Sequence, residues 1–315
     1  MKRSLRFALI GMLLLALAGP VQAAETQLIL ATGGTAGTYY PFGGAMARIW
    51  NTKIPGMNVT AQTTGASAEN VRLINKKEVE LALVQSDTLD FAYNAKEAFK
   101  EKLTGMQAVA VLYPEIIQVV VAADSPVKSF ADLKGLKVGV GAPGSGTEAN
   151  FRQLLDVYGM SKEDLKANYL SFSESAEQFK DKHIDAFIVT AGLPNAAILD
   201  ISTQNNIRLL NIAPDMVEKL SARYPFLSAA TVPASTYKGL NADVKTVAVN
   251  AVLIASSQLN ANVVYQLTKA LFENQKELAE AHAKGAELTL QTAVKGVSIP
   301  FHPGAVKYYK EKKAM

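Results

Sequence analysis

The sequence predicts an α/β protein of two lobes, each a sheet flanked by helices, arranged around a ligand cleft. Three observations predict it. Short apolar runs alternate with amphipathic helical stretches along most of the chain. Strand, glycine turn and helix start follow one another at Gly33-Gly34-Thr35-Ala36-Gly37 and again at Gly139-Val140-Gly141-Ala142-Pro143-Gly144. A length of 315 residues gives room for about two domains with sizeable cores.

The first segment stands outside that fold. Lys2, Arg3 and Arg6 precede an apolar stretch from Phe7 to Ala18, and Val21-Gln22-Ala23 offers the small residues of a cleavage site. Residues 1–23 therefore read as a secretory signal peptide, and the chain as exported. Their removal lowers the formal charge from +4 to +1, so the basic balance says little about partners. No basic block or basic-aromatic stripe points to nucleic acid. Cysteine is absent, which excludes disulfides, thiol catalysis and thiolate metal sites.

In the mature chain, Phe42, Ala45, Met46, Ile49 and Trp50 follow helical spacing from a start near Pro41. Asn58 to Thr64 alternates as a strand, and Gly65-Ala66-Ser67 turns into a helix with Ser67 as the expected cap. Leu81 to Val84 is a buried strand that ends at Gln85-Ser86-Asp87. These strand-to-helix junctions are the grammar of a parallel sheet. Ile116 to Ala123 is a strongly apolar strand, and Phe151, Leu154, Leu155 and Tyr158 form a helical stripe closed by Gly159. Asp185 to Thr190 is another strand, leading into Ala191-Gly192-Leu193-Pro194. Leu227 to Thr236 reads as the strand that carries the chain back, and 241–284 as largely helical. The lobes are expected over 24–115, 116–228 and 229–315, the last returning to the first lobe, with crossings near 113–120 and 226–236.

Enzyme signatures fail one by one. Gly139, Gly141 and Gly144 fit a dinucleotide fingerprint, but Pro143 lies inside the turn and the acidic partner is missing. A phosphate-binding P-loop needs lysine where Glu148 stands. Ser145 lacks the flanking glycines of a nucleophile elbow, because Pro143 and Thr147 occupy those positions. His183, His282 and His302 all read as surface structure rather than as a general base. No metal spacing and no cofactor motif is present, so no catalytic residue is assigned.

What remains is a set of small polar residues at strand ends. The candidate ligand contacts are Gly34, Thr35, Tyr39 and Tyr40, then Ser67 and Asn70, then Gln85 and Asp87. From the second lobe come Gly144, Ser145, Gly146 and Thr147, with Thr190, Ala191 and Gly192. Ligands of open α/β sheets bind outside the carboxyl ends of the strands, which is where these residues fall. Tyr39 and Tyr40 cannot both face the core of one helix. Asp87, pointing inward and ionised, would favour an ammonium over a second carboxylate; as a helix cap alone it would leave either ligand open.

Gly33-Gly34-Thr35-x-Gly37-x-Tyr39-Tyr40, Thr64-Gly65-Ala66-Ser67-x-Glu69-Asn70, Gln85-Ser86-Asp87, Pro143-Gly144-Ser145-Gly146-Thr147 and His302-Pro303-Gly304-Ala305 together resemble the TAXI family. Its members are solute-binding proteins of tripartite ATP-independent periplasmic (TRAP) transporters. The resemblance implies a type II periplasmic-binding-protein fold and a periplasmic, monomeric protein without cofactor. It also implies a small carboxylate ligand, such as glutamate or 2-oxoglutarate, handed to a TRAP permease. A secreted hydrolase or transferase using the same cleft is the alternative.

Overall fold

The computed structural model describes residues 25–315; the expected signal peptide, residues 1–23, lies outside them. The chain runs β1 (Thr26–Ala31), α1 (Tyr39–Lys53), β2 (Met57–Gln62), α2 (Ser67–Asn75), β3 (Leu81–Gln85) and α3 (Ser86–Asn94). A long strand follows, β4 (Met106–Ala122), and then β5 (Lys137–Gly139), α4 (Gly146–Val157), β6 (Lys166–Asn168) and α5 (Phe172–Lys180). Next come β7 (Ala186–Ala191), α6 (Ala196–Gln204), β8 (Ile207–Leu209), α7 (Pro214–Arg223) and β9 (Ser228–Val232). A second long strand, β10 (Val244–Ser256), leads to α8 (Ala261–Glu273), α9 (Gln275–Ala281), α10 (Leu290–Ala293) and α11 (Pro303–Glu311).

The strands form one curled path in the order β2-β1-β3-β10-β4-β7-β5-β6, with β8 beside β4 and β9 beside β10. β1 pairs in parallel with β2 and β3, and β5 with β6 and β7, as the strand-to-helix junctions predict. The two long strands are shared. Ala251 to Ala255 of β10 pair with β3, whereas Val244 to Ala248 pair with β9. β4 changes company in the same way, pairing with β10 over its first part and with β7 from Ile116 to Val121. Pro114 of β4 lies opposite Asn250 of β10, so both strands leave one half and enter the other at the same level. Proline there donates no ladder hydrogen bond, which suits a point where pairing changes hands.

Each half has its own core. In the first, Phe42, Met46, Ile49 and Trp50 of α1 pack against the sheet with Leu267, Leu271, Tyr308 and Tyr309. Trp50 is fully buried, and its indole N–H donates to the Leu267 carbonyl at 3.0 Å, so its polar edge is satisfied. In the second, Phe151, Leu154 and Leu155 of α4 pack with Phe130, Val138 and Ile188. A buried side chain of this size stabilises by roughly 1.5–3 kcal/mol, so each aromatic stripe anchors its helix.

Three expectations are corrected. The segment 244–256 is strand rather than helix, and helical structure begins at Ala261. The return between halves runs along β10, while β9 stays paired within the second half. Ser67 is the first residue of α2 rather than its cap; Ala66 precedes the helix with φ 71°. Among the described residues, no helix is long and apolar enough to cross a membrane.

Candidate ligand-binding site

Five helices begin around one cleft. The turns before α1, α2, α4 and α5 line it, and so does Gln85, the residue before α3. The cleft holds about 640 Å³ of space including its open mouth. Each helix start presents N–H groups without intrahelical acceptors and the positive end of a helix dipole. Among the described residues, no lysine, arginine or histidine lines the cleft. An anion would therefore be held by oriented backbone dipoles and hydroxyls.

The turns are held in place by their own side chains. Asn70 donates to the carbonyls of Thr32 and Leu83, both at 2.7 Å, and accepts from the Thr64 hydroxyl at 2.6 Å. It fixes the ends of β1 and β3, and its side chain is spent on that task. Ser67 accepts from the Gln85 N–H at 3.1 Å, which joins the α2 start to the α3 start. Ser145 caps α4 by accepting from the Glu148 N–H at 3.1 Å. Gly141 and Gly144 have φ of 92° and 73°, the left-handed region that the tight turn before α4 needs. The Thr147 hydroxyl accepts from the Thr190 N–H at 3.2 Å and ties α4 to the end of β7.

Nine of the expected contacts line the cleft: Gly34, Tyr39, Ser67, Gln85, Ser145, Gly146, Thr147, Thr190 and Ala191. Six do not. Thr35 and Tyr40 face outward, Tyr40 being 37% exposed, because α1 buries only the Tyr39 side of its first turn. Asn70 lies behind the wall, as described. The Gly144 carbonyl accepts from the Ala68 N–H at 3.0 Å, bridging the two halves beside the cleft. Gly192 packs against the Lys284 stem, where any larger residue would collide with it.

Asp87 is the sixth, and its role changes. It is fully buried and accepts from Asn150 and Gln153 of α4, both at 2.9 Å, and from the Thr88 N–H at 2.6 Å. It joins α3 of the first half to α4 of the second and has no line to the cleft. Burial raises its pKa, and the four donors oppose that shift. The ligand-sorting role expected for Asp87 has no geometry behind it.

The carboxyl that does line the cleft is Glu115, a residue the sequence reading passed over. It sits on β4 one position past Pro114, where the strands change halves. The Tyr39 hydroxyl donates to Glu115 Oε2 at 2.6 Å. Burial, followed by the neighbouring Asp87 charge, pushes the Glu115 pKa up to about 8, against the pull of Tyr39 and Lys284. The Tyr39 phenol is itself pushed up by burial and by Glu115, so it remains a donor. The signal that could have found Glu115 is its isolation: one carboxyl inside the apolar stretch from Ala108 to Val121.

The three histidines stand elsewhere. His302 is buried and caps α11, accepting from the Gly304 N–H at 3.2 Å, so it is a core element rather than a surface one. His282 is partly exposed and packs edge-on against Phe42, and His183 sits beside Gln178 on an exposed helix end.

The chain belongs to the NMT1-like family, whose model matches residues 30–312. Solved structures share its fold at low sequence identity. A protein of Bordetella bronchiseptica RB50 is 17% identical at a TM-score of 0.57, over 92% of this chain and 90% of that one. A structure described as a periplasmic transporter is 14% identical at 0.55, over 93% and 94%. The alkanesulfonate-binding protein SsuA of Xanthomonas axonopodis pv. citri, bound to MOPS, is 17% identical at 0.50, over 92% of each chain. The fold is that of the type II periplasmic binding proteins.

Proposed function

We propose that this protein is a periplasmic solute-binding protein that captures one small carboxylate between its halves and delivers it to a membrane permease. The observation that carries the reading is the convergence of five helix starts on one cleft lined by neutral groups. A charge-assisted hydrogen bond contributes roughly 1.5–3 kcal/mol, and micromolar capture needs about −8 kcal/mol in all. Several donors from the α4 start, closed over by the α1 and α2 turns, are sufficient after ordering costs. A glutamate-like amino acid or a 2-oxoacid has the charge this set suits. The motif resemblance to the TAXI family supports a TRAP permease as the recipient, with a monomeric carrier and no cofactor.

Closure would bend β4 and β10 where both change halves, at Pro114 and Asn250. A ligand touching both walls favours the closed state by its contacts to the second wall. The hydrolase alternative needs a base beside Ser145 or Thr147. The Ser145 hydroxyl caps its helix and, among the described residues, no histidine lines the cleft, which supports capture over turnover.

A thermal-shift screen of unmodified small acids and amino acids tests the reading. Ligand at about 100 times its Kd stabilises by roughly 2.7 kcal/mol, with no product formed. If no solute shifts the transition, or a product accumulates, capture is the wrong function.

A further inference from the structure

We infer that the cleft opens from one side: Asn195 is a latch across its rim that releases, while the Asp87 joint stays made and acts as the pivot. The inference concerns how the halves part, whatever solute the cleft takes.

Two sets of bridges cross the seam between the halves, and they use different elements. The first joins α2 and α3 to α4. Asp87 accepts from Asn150 and Gln153, both at 2.9 Å, and the Ala68 N–H donates to the Gly144 carbonyl at 3.0 Å. The second joins the turn before α1 to the turn before α6, where Asn195 Nδ2 donates to the Ala36 carbonyl at 3.0 Å. Both sets run between the protein's own groups, so neither needs a solute to form.

Asn195 is built to point one way. It is 1% exposed, and its Oδ1 caps α6 by accepting from the Ala197 and Ile198 N–H groups at 3.0 and 3.2 Å. Its own N–H donates to the Tyr237 hydroxyl at 2.9 Å, and that hydroxyl donates to Gln118 of β4 at 2.6 Å. With the carboxamide oxygen held by the helix, the NH2 group is aimed across the seam. Ala36, its acceptor, belongs to the glycine turn that lines the cleft. One side chain of the second half thus fixes a wall of the first.

The two sets differ in what breaking them costs. Asp87 is fully buried, and parting α3 from α4 would strand a carboxylate and two amides. Hydrogen bonds to a charged group are also roughly twice as strong as neutral ones. The Asn195–Ala36 bond is single and neutral, and Ala36 is only half-buried, so water can replace the amide there. Beside it, the Lys284 stem lies against Gly192 and the Thr38 hydroxyl is 3.5 Å from the Gly192 carbonyl, contacts with little to lose.

Position favours the same order. Asp87 follows Gln85 by two residues, and Gln85 pairs with Ala251, next to Asn250 where β10 lies opposite Pro114. The joint therefore sits beside the strands that bend, and contacts beside a pivot move least. Opening breaks the Asn195 bond first, the turn before α1 leaves the turn before α6, and α3 stays on α4.

The chain has no cysteine, so paired spin labels need no native thiol removed. Tyr40→Cys with Leu199→Cys reads the rim; both residues are exposed, and each stands one turn past Ala36 or Asn195. Ala98→Cys with Arg152→Cys reads the small crevice beside the joint, which both residues line. Distances are measured by pulsed electron–electron resonance on the full mature chain without added solute. Asn195→Asp keeps the cap acceptor and sets an oxygen against the Ala36 carbonyl; Asn195→Ser keeps a cap and shortens the arm. Each should raise the ratio of open to closed chains by roughly 2- to 10-fold, the worth of one neutral hydrogen bond, read as a longer rim distance. The joint distance should stay as it is. In the labelled chains with Asn195 intact, urea below the unfolding transition should lengthen the rim before the joint, a comparison that stands even if both variants fold poorly. A rim unmoved in the folded variants, or a joint that lengthens together with the rim, overturns the latch. Neither outcome touches the capture reading, which fails or stands on the solute screen alone.

Discussion

Two buried carboxyls sit near the junction of the halves in very different company. Asp87 is surrounded by donors: the Thr88 N–H, the Thr88 hydroxyl, and the amides of Asn150 and Gln153 across the junction. Glu115 receives one, from Tyr39, and borders open space. A carboxylate can accept about four hydrogen bonds. The first group is saturated by its own protein and so acts as a joint; the second keeps free acceptor positions and lines the cleft. The count of donors, more than burial or residue type, separates the carboxyl inside the joint from the carboxyl on the cleft wall.

The comparison can be broken by experiment. The largest effect is expected at the joint. Asp87→Ala strands two buried amides and should cost about 3 kcal/mol, read as a lower urea midpoint. Asp87→Asn should leave the preference between glutamate and 2-oxoglutarate as it is; a changed preference would return Asp87 to the ligand site.

Glu115 should instead reveal itself through pH. Its pKa is higher folded than unfolded, so between 4.5 and about 8 the folded chain binds more protons than the unfolded one. Its contribution to stability therefore falls as pH rises through that window and levels off above it, by at most about 1.4 kcal/mol per unit. Comparing urea unfolding of wild type and Glu115→Gln at intervals from pH 5 to 8.5 should show a flatter curve for the variant. Identical slopes would mean that the carboxyl is not held neutral.

The smallest effect concerns the α4 start, where Gly146 packs against Gln85. A methyl at Gly146 would collide with the Gln85 side-chain amide, the flexible end of that residue. Gly146→Ala should therefore fold with a penalty below about 1 kcal/mol, since alanine suits a helix start. It should weaken ligand by about tenfold as Gln85 swings aside, a factor worth about 1.4 kcal/mol. Unchanged affinity would mean that Gln85 does not shape the ligand site.

Much of this was legible in the sequence, and the failures have physical causes. Glycine turns announce themselves because few residues adopt the left-handed backbone at Gly141 and Gly144. Helix faces such as Phe42 to Trp50 follow a period that few other structures share. β10 escaped because a strand covered on both faces, Val244–Ser256, is apolar without alternation and long enough to pass for a helix. Asn70 and Asp87 were assigned to the ligand because a polar side chain at a strand end serves equally well as a clamp. Only their partners, the carbonyls of Thr32 and Leu83 and the amides of Asn150 and Gln153, distinguish the two uses.

The late arrival of β10 also sets the order of assembly. Leu81–Gln85 waits for Ala251–Ala255, a partner near the opposite end of the chain, and until then β3 has an open apolar edge. Pairing across such a span is slow, because the intervening chain must be ordered before the contact repays it. A polypeptide threaded through a pore amino-terminus first would thus stay unlocked until nearly all of it had passed, and both halves would then set together.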